Sequence, residues 1–312
     1  VGEKAAMEDK EAVQNMVRGA DMIFITAGMG GGTGTGAAPI IAQVARDMNI
    51  LTVAVVTRPF DFEGRRKAKL ADEGIRKLRQ SVDTLITIPN QHLLKIVERR
   101  TPIKEAFLMA DDVLRQGVQG ISDLITKAGE INIDFADVKT IMNGQGDALM
   151  GIGIGNGENR AVDAATNAIN NPLLEDARIE GAKGILVNVS GGADFSLTEY
   201  EEVLNIITSN ADDEAMIIAG SAIDELMEDE VKVTVIATGF NHEEIRLDEE
   251  TEVEEQQEEF ISLERWKQMT TGRQRKGGED LFGEESGPSD ELGIPAVLRY
   301  RQASNQRGQG HG

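Results

Sequence analysis

One glycine-rich stretch constrains the fold of this sequence more than any other part. Residues 28–36 read G-M-G-G-G-T-G-T-G, with six glycines and two threonines in nine residues. An apolar run of strand length, 22–27, precedes the stretch, and a helical pattern, 37–48 with Pro39 in its first turn, follows it. A loop of this kind leaves backbone N–H groups unpaired at the positive end of a helix, where the missing side chains let an anion approach. The stretch therefore predicts a phosphate-binding loop, to which its two threonines add hydroxyl donors.

Two general nucleotide-loop patterns fit this stretch less well. A P-loop is excluded because no Gly-Lys-Ser or Gly-Lys-Thr follows. The dinucleotide fingerprint is met only loosely, as Gly32-x-Gly34-x-x-Ala37. It also requires an acid about twenty residues further on, at the end of the next strand, where this chain has Thr57-Arg58. An NAD(P)-dependent oxidoreductase of the Rossmann type, with Arg58 on a 2′-phosphate, stays open as an alternative, as does a flexible turn without a ligand.

The string G-G-G-T-G-T-G at 30–36 is more specific than either pattern, and it matches the signature loop of the tubulin/FtsZ superfamily. With A-A-P after it and P-F-x-F-E-G at 59–64, the chain closely resembles bacterial FtsZ, a family of cell-division GTPases, from residue 1 to about 240 and again at 291–301. The resemblance implies a GTP-hydrolysing, filament-forming scaffold of the division ring that takes GTP/GDP and Mg²⁺. It also implies a cytoplasmic location at the division site. A tubulin-like scaffold that binds GTP without hydrolysing it is a further alternative.

Composition excludes several classes of site and partner. The net charge is −22, which disfavours nucleic acid, and the chain has no cysteine for a disulfide or a thiolate metal site. The three histidines are too scattered to form a zinc cluster. The sequence contains no apolar run of eighteen residues, so it does not predict insertion into a membrane. Residue 1 is Val1. An α/β nucleotide domain normally begins with a strand and a glycine-rich turn of its own, whereas this chain is expected to open on a helix. The resemblance likewise implies that roughly seventy residues precede Val1.

The alternation of strand and helix patterns predicts an α/β fold with a parallel-sheet GTPase domain that is incomplete at its N-terminus. A helix is expected at 8–18, and a long central helix at 102–126 carries apolar residues at steps of three and four. A second, smaller α/β domain follows, and its sheet is expected to be mixed because its last two strands have no helix between them. The predicted boundaries are 1–101 for the GTPase domain, 102–128 for the central helix, 129–240 for the second domain, 241–290 for an acidic disordered linker, and 291–312 for a partner-binding tail.

Guanine presents two adjacent donors that one carboxylate can accept, and Asp111 lies one helical turn after Phe107, whose ring can pack on a base. From the residues alone, Phe107 is equally a core residue and Asp111 an ordinary surface acid. The resemblance assigns both to guanine, Asn90 to base or ribose, and Glu63 to the ribose. FtsZ usually has arginine where this chain has Lys67, so either Lys67 or Arg66 is the nucleotide contact. The full predicted GTP site is Gly31, Gly32, Thr33, Gly34, Thr35, Gly36, Glu63, Lys67, Asn90, Phe107 and Asp111.

Asp134 and Asp137 stand three residues apart at the start of a predicted helix, where acids commonly act as caps. The resemblance implies a catalytic role instead. In FtsZ, the positions of Asn132, Asp134 and Asp137 belong to a loop that one subunit inserts into the nucleotide site of the next, where the acids position the attacking water. The central helix of about 37 Å separates these acids from the glycine loop. We therefore expect the two parts to meet between head-to-tail subunits, an arrangement that grows an open filament.

The C-terminal region has a different composition. Residues 241–264 hold eleven acids against the single basic residue Arg246, which predicts an extended, solvated linker. A basic patch around Trp266 follows and receives no assignment. A short apolar segment then resembles the C-terminal peptide by which FtsZ binds division proteins such as membrane tethers, although a flexible tail without function is the alternative. The residues of that segment are Ile294, Pro295, Val297 and Leu298.

Overall fold

The structure is a computed structural model that describes residues 1–95, 100–127, 130–174, 179 and 181–240. The predicted acidic linker, the patch around Trp266 and the tail peptide with Ile294, Pro295, Val297 and Leu298 lie outside the described residues. Among the helices that are described, none combines the length and the apolar character needed to cross a membrane.

The first part of the chain alternates helices with three parallel strands. In order, the elements are α1 (Gly2–Glu8), α2 (Lys10–Val17), β1 (Met22–Gly28), α3 (Gly34–Asp47), β2 (Leu51–Arg58), α4 (Arg65–Arg79), β3 (Thr84–Pro89), α5 (Asn90–Leu93) and α6 (Ile103–Thr126). β2 pairs in parallel with both β1 and β3. The helix predicted at 8–18 is confirmed as α2. The sequence pattern does not predict the preceding helix α1, which is separated from α2 at Asp9, whose φ of −99° and ψ of 22° are not helical.

The second part adds four strands and a mixed pairing pattern. Its elements are α7 (Phe135–Met142), β4 (Gly146–Asn156), α8 (Arg160–Ile169), β5 (Gly184–Gly191), α9 (Leu197–Thr208), β6 (Met216–Ile223) and β7 (Glu230–Thr238). The described strands form one seven-stranded sheet in the order β1-β2-β3-β4-β7-β5-β6. β7 is antiparallel to β4 and β5, whereas β5 and β6 are parallel, so the expected mixed sheet is confirmed. β3 and β4 join the two groups of strands through only three residue pairs.

Two glycines let the long helix α6 lie close to the sheet. A Cβ on Gly117 would lie 3.0 Å from the Met150 sulfur, and a Cβ on Gly120 would lie 2.9 Å from a Thr234 side-chain carbon. The helix buries Ile121 and Leu124 in a core that also includes Val55 of β2. Because this core includes strands of both groups, α6 packs on both sides of the short β3–β4 ladder.

A glycine stripe on β4 fixes the position of α8. A Cβ on Gly153 would lie 2.0 Å from the carbonyl oxygen of Ala164, and one on Gly155 would lie 2.0 Å from the carbonyl oxygen of Arg160. These contacts leave no room for any side chain, so the helix backbone lies directly on the strand. The inward face of α8 is correspondingly built from small buried residues such as Ala164 and Ala168. The stripe thereby places Arg160, the first residue of α8, deep against the sheet.

Arg160 is the centre of a buried ion cluster. Only 6% of the residue is exposed. Its guanidinium donates to Glu199 at 2.7 Å and to the Glu228 carbonyl at 3.3 Å, and it forms an ion pair with Asp194 at 2.9 Å. Glu199 in turn closes a capping box with Ser196 at the start of α9. The hydrogen bond from Arg160 is the main reason that the pKa of Glu199 falls from 4.5 to about 2.

The protein is expected to lose stability in acid through Glu199. A carboxyl whose pKa is lowered by folding contributes stability above its unfolded pKa, and this contribution is lost as pH falls through the folded pKa. The window for Glu199 therefore runs from about 4.5 down to about 2. Urea unfolding at several pH values checks this, with Glu199→Gln as the comparison. The variant should show a flatter decline in the free energy of unfolding across the window, and an equally steep decline would contradict the assignment.

Candidate nucleotide-binding site

The loop between β1 and α3 is fixed by specific contacts. The backbone N–H of Gly30 donates to the hydroxyl oxygen of Thr35 at 2.8 Å. Gly30 has a φ of 94°, and a Cβ on it would lie 2.8 Å from both Cγ and the carbonyl oxygen of Lys67. Helix α3 begins at Gly34, three residues earlier than predicted, so the prediction that Pro39 lies in the first turn is wrong: Pro39 is the sixth residue of the helix.

The glycines of the loop fall into two groups. A Cβ on Gly34 would lie 2.7 Å from the Gly28 carbonyl oxygen, and one on Gly36 would lie 2.6 Å from the Glu3 nitrogen, so packing onto β1 and α1 requires both glycines. Gly31 and Gly32 are exposed, and a Cβ on either would meet no atom within 4 Å. The space on their Cβ side is therefore open beside the N-terminus of a 14-residue helix, while the Gly32 carbonyl oxygen lies against Gly2 of α1. This is the geometry in which backbone N–H groups receive a phosphate.

Three phenylalanine rings form a cluster near α4, the helix whose Lys67 contacts Gly30 of the glycine loop. The rings of Phe60 and Phe62 are stacked with centroids 4.9 Å apart, and the Phe107 ring meets Phe60 edge-on at 5.4 Å. Phe60 is buried, whereas Phe62 is 60% exposed and Phe107 is 40% exposed. The interpretation of Phe107 as a core residue is therefore wrong. Two exposed aromatic rings held by a buried third ring form a surface on which a flat base can stack.

Polar groups surround the aromatic cluster. One carboxylate oxygen of Glu63 accepts from the Phe60 N–H at 2.9 Å, and the other forms an ion pair with Lys67, the residue whose stem lies against Gly30. Asn90, at the carboxyl end of β3, is only 5% exposed, and its Oδ1 has no partner among the described residues. A buried hydrogen-bond acceptor of this kind is normally paired with a donor. Asn90 Oδ1 could accept from a ligand donor, and Thr87 Oγ1 and Asn188 Oδ1 are the other buried side-chain atoms without a partner among the described residues.

Asp111 is exposed and lies one turn along α6 from Phe107. It lines a groove of about 620 Å³ together with Thr26 of β1 and Ser122 of α6. Arg66, the alternative to Lys67, is exposed on the first turn of α4 and makes no ion pair within the described ranges. The structure thus brings the glycine loop, Glu63, Lys67 and Phe107 together through direct contacts, with Asn90 and Asp111 on the elements that adjoin them.

The predicted catalytic acids lie on a different element. Asp134 is the N-cap of α7, and its carboxylate accepts from the N–H of Asp137 at 2.9 Å, so the helix-capping interpretation of Asp134 is confirmed. Asn132, Asp134 and Asp137 are all exposed. The Asp137 carboxylate makes no hydrogen bond or ion pair with the part of the chain that the structure describes. Both acids therefore remain accessible to another molecule, although Asp134 caps the helix.

The acids and the glycine loop lie at opposite ends of the strands. Helix α6 rises by about 28 Å from Phe107, beside the loop, to Thr126, its last residue. At the other end of α7 from the acids, the Met142 carbonyl accepts from the hydroxyl of Thr84, at the amino end of β3. Asn90 follows the carboxyl end of the same strand. A single chain cannot bring the two groups together in this arrangement.

Sequence reasoning missed the Arg160 ion cluster and the stacking of Phe60 on Phe62. Arg160 contacts residues 34 to 68 positions away, and no local pattern signals such contacts. The P-F-x-F string at 59–62 is the local signal for the ring pair, which a short 3₁₀ helix at Asp61–Glu63 brings together. Among the described residues, no group of three acids or histidines could hold a metal ion by itself.

Two family models match this chain, one in its first part and one in its second part. Residues 1–98 match the family model of the tubulin/FtsZ GTPase domain, and residues 146–241 match that of the FtsZ C-terminal domain. An empty FtsZ dimer from M. jannaschii is 48% identical, with a TM-score of 0.73, over 76% of this chain and 69% of that chain. The chain belongs to the tubulin/FtsZ family. A point mutant of the M. jannaschii protein is 46% identical over 77% of this chain and 71% of that chain, also with a TM-score of 0.73.

A second type of protein shares the fold of this chain. GDP-bound monomeric CetZ1 from Haloferax volcanii has a TM-score of 0.63 over 77% of this chain and 73% of that chain, at 20% identity. The tubulin/FtsZ GTPase match includes the glycine loop, Glu63, Lys67 and Asn90. Phe107, Asp111 and the acids of α7 lie between the two matched ranges. Their roles therefore rest on the geometry described above and on the resemblance of the sequence.

Proposed function

We propose that this protein binds GTP at the glycine loop and hydrolyses it only when a second copy contributes Asp134 and Asp137, so that active sites form between head-to-tail subunits of a filament. The observation that carries the proposal is the placement of the two groups at opposite ends of the molecule, with both exposed. The family match supports the GTPase chemistry, and the FtsZ dimer among the similar structures supports self-association. The heterologous contact that results is open and propagates.

In this proposal, GTP lies across the carboxyl ends of β1 to β3. Backbone N–H groups of Gly31 and Gly32 receive phosphate oxygens, and Phe107 stacks on the base. The Asp111 carboxylate accepts both guanine donors, and the unpartnered Oδ1 of Asn90 accepts from a base or ribose donor. Lys67 exchanges its ion pair with Glu63 for a phosphate oxygen, which gives charge but not the bidentate geometry of arginine.

The hydrolytic step uses a water molecule between the copies. The Asp137 carboxylate, with Asp134 and Asn132 beside it, orients this water towards the γ-phosphate and accepts its proton. Bound Mg²⁺ would offset the charge of the phosphates. Because Mg²⁺ usually binds through phosphates, water and one or two carboxylates, it would enter the site with the nucleotide. Loss of the γ-phosphate then weakens the contact between copies.

The resemblance extends the proposal to cell division. The protein would act as a scaffold of the division ring in the cytoplasm, with 1–101 as its GTPase domain, 102–128 as its central helix and 129–240 as its second domain. The tail residues Ile294, Pro295, Val297 and Leu298 would bind membrane-tethering division proteins. A peptide of residues 291–301 is the simplest probe of this last step, because its binding to such a tether can be measured without the filament.

The family match disfavours the alternative of an NAD(P)-dependent enzyme, because residues 1–98 match the tubulin/FtsZ GTPase domain. The chain also lacks an acid at the end of β2, where Thr57 and Arg58 stand. A titration with GTP, ATP and NADPH separates the two functions, since the proposal expects tight binding of guanine nucleotides and no measurable binding of NADPH. Tighter binding of NADPH than of GTP would overturn the proposal.

Phe107→Ala should weaken GTP binding by about 5- to 150-fold, because stacking of one base on an aromatic side chain contributes about 1–3 kcal/mol. The Michaelis constant for GTP should rise while turnover at saturation changes little. Leu108→Ala is the matched control, since Leu108 is the next residue and is 54% exposed. Equal effects of the two substitutions would contradict the stacking role.

A further inference from the structure

The segment that leads into helix α7 is held on the outer edge of the sheet. β6 is the last strand in the sheet order and pairs with β5. Away from β5, the N–H of Ser221 donates to the carbonyl oxygen of Ile131 at 3.0 Å, and the N–H of Ile131 donates to the hydroxyl oxygen of Ser221 at 3.1 Å. We call residues 130–134, which precede the first turn of α7, the acid loop.

The side chains of the acid loop alternate between the core and the solvent. Ile133 is buried with Leu124 in one core cluster, and the partly buried Ile131 packs against another. Asn132 and Asp134 are exposed. Because successive side chains of an extended chain point to opposite sides, burial of the two isoleucines directs Asn132 and Asp134 outward.

The strand β6 has a glycine where the acid loop packs most closely. A Cβ on Gly220 would lie 2.9 Å from Cδ1 of Ile133 and 3.1 Å from a terminal carbon of Leu124. The side chain of Ile133 therefore lies directly on the backbone of the strand. Gly220 and Ser221 thus hold two alternate residues of the loop, one through its side chain and the other through its backbone.

Two polar links join the acid loop region to β6 and the turn after it, and they differ in strength. Ser221 is only 7% exposed, so removal of its hydroxyl would take the acceptor away from the Ile131 N–H at a site shielded from water. The second link is the ion pair of Lys127 with Asp224 at 3.7 Å, in which both side chains are about one third exposed. Such accessible ion pairs contribute little. Ser221 is therefore the stronger link.

We propose that Ser221 is a positioning residue for the hydrolytic step, and that it acts through Ile131 to fix the place of Asp134 and Asp137. This inference rests on the proposed function, and it concerns the geometry within the copy that supplies the acids. The carboxylate of Asp134 accepts from the N–H of Asp137, so a shift of the loop moves both acids together. A misplacement of about 1 Å can cost about 10²-fold in rate.

Ser221→Ala tests the role of the hydroxyl, because the Ser221 N–H can still donate to Ile131 and keep the loop attached. Turnover at saturating GTP should fall by about 10- to 100-fold. The affinity for GTP should not change, nor should the protein concentration at which light scattering appears with a non-hydrolysable GTP analogue. A loss of GTP affinity equal to the loss of turnover, or unchanged turnover, would overturn the inference.

Ser190→Ala is the matched control. Ser190 is a buried serine of the neighbouring strand β5, with 3% of the residue exposed. It lies opposite Ala222 in the β5–β6 ladder, so its side chain points to the other face of the sheet from that of Ser221. Turnover within twofold of the unmodified protein is expected for Ser190→Ala. An equal loss in both variants would contradict the positioning role.

Mixing variants shows which function of the copy is impaired. In a mixture with Asp137→Ala, the Ser221→Ala copy must supply the acids, so turnover should stay low. In a mixture with the double variant Phe107→Ala and Asp111→Ala, the Ser221→Ala copy supplies only the nucleotide site, and turnover should rise towards about a quarter of the unmodified activity. A general defect of folding would keep both mixtures equally low, and that result would overturn the inference.

The single variant Asp137→Ala separates a failure of this inference from a failure of the proposed function. If Asp137→Ala abolishes turnover while Ser221→Ala turns over GTP at the full rate, hydrolysis between copies stands and the positioning role of Ser221 falls. If Asp137→Ala keeps full turnover, the proposed function falls and the inference falls with it.

Discussion

Asp137→Ala is expected to lower GTP turnover at saturating nucleotide and high protein concentration by about 10²- to 10⁴-fold, the usual contribution of a positioned general base. The affinity for GTP should not change, because Asp137 lies at the opposite end of the molecule from the glycine loop. Assembly in the presence of GTP should persist or increase, since the contact is no longer weakened by hydrolysis. Phosphate release and light scattering on the same sample measure both properties.

The control for this substitution is Asp163→Ala. Asp163 is likewise an exposed acid in the first turn of a short helix, α8, so its loss removes the same favourable interaction with the helix dipole. Turnover within twofold of the unmodified protein is expected for Asp163→Ala. Full turnover in Asp137→Ala would refute the catalytic assignment of Asp137. An equal loss of turnover in both variants would mean that the substitutions act through folding rather than through catalysis.

Gly153→Val should destabilise the protein by about 3 kcal/mol or more, since overpacking of a closed contact typically costs up to that amount and sometimes exceeds it. The Cβ alone would lie 2.0 Å from the Ala164 carbonyl oxygen, which is backbone and cannot move aside as a side chain can. At about 2–4 °C per kcal/mol for a domain of this size, the midpoint of thermal unfolding should fall by roughly 10 °C.

The next residue along β4 supplies the comparison for Gly153. Ile154 is 46% exposed and points to the opposite face of the strand, so Ile154→Val should shift the midpoint by a degree or two at most, about the effect of an exposed substitution. A Gly153→Val midpoint within that range would mean that α8 does not lie on the backbone of β4. It would also remove the explanation for the burial of Arg160 against the sheet.

The parts of the fold that the sequence predicted are those with local causes. The run from β1 through the glycine stretch into α3 was evident because apolar strand, flexible loop and periodic helix follow one another directly. The mixed second half of the sheet followed from the lack of a helix between β6 and β7, although the position of β7 between β4 and β5 depends on partners distant in the chain. Patterns within one segment carry no information about which distant strand it joins.

Errors and omissions have the same physical origin. Periodicity placed Phe107 among the core residues of α6, but in the first turns of that helix the buried face consists of Ala106 and Ala110, and Phe107 and Ile103 are exposed. The start of α3 was placed too late because glycines disfavour helix, whereas packing of Gly34 and Gly36 onto β1 and α1 holds them there. The cluster around Arg160 depends on three segments that meet only after folding.

Mixing two inactive variants tests most directly whether one copy completes the site of another. Asp137→Ala keeps its nucleotide site, and the double variant Phe107→Ala with Asp111→Ala keeps its acids, so each alone should turn over GTP near background. At equal amounts, about a quarter of head-to-tail contacts join an intact nucleotide site to intact acids, and the mixture should recover up to that fraction of the unmodified activity. A mixture no more active than its separate components, together with full-speed turnover by a dilute and monomeric sample of the unmodified protein, would contradict the account.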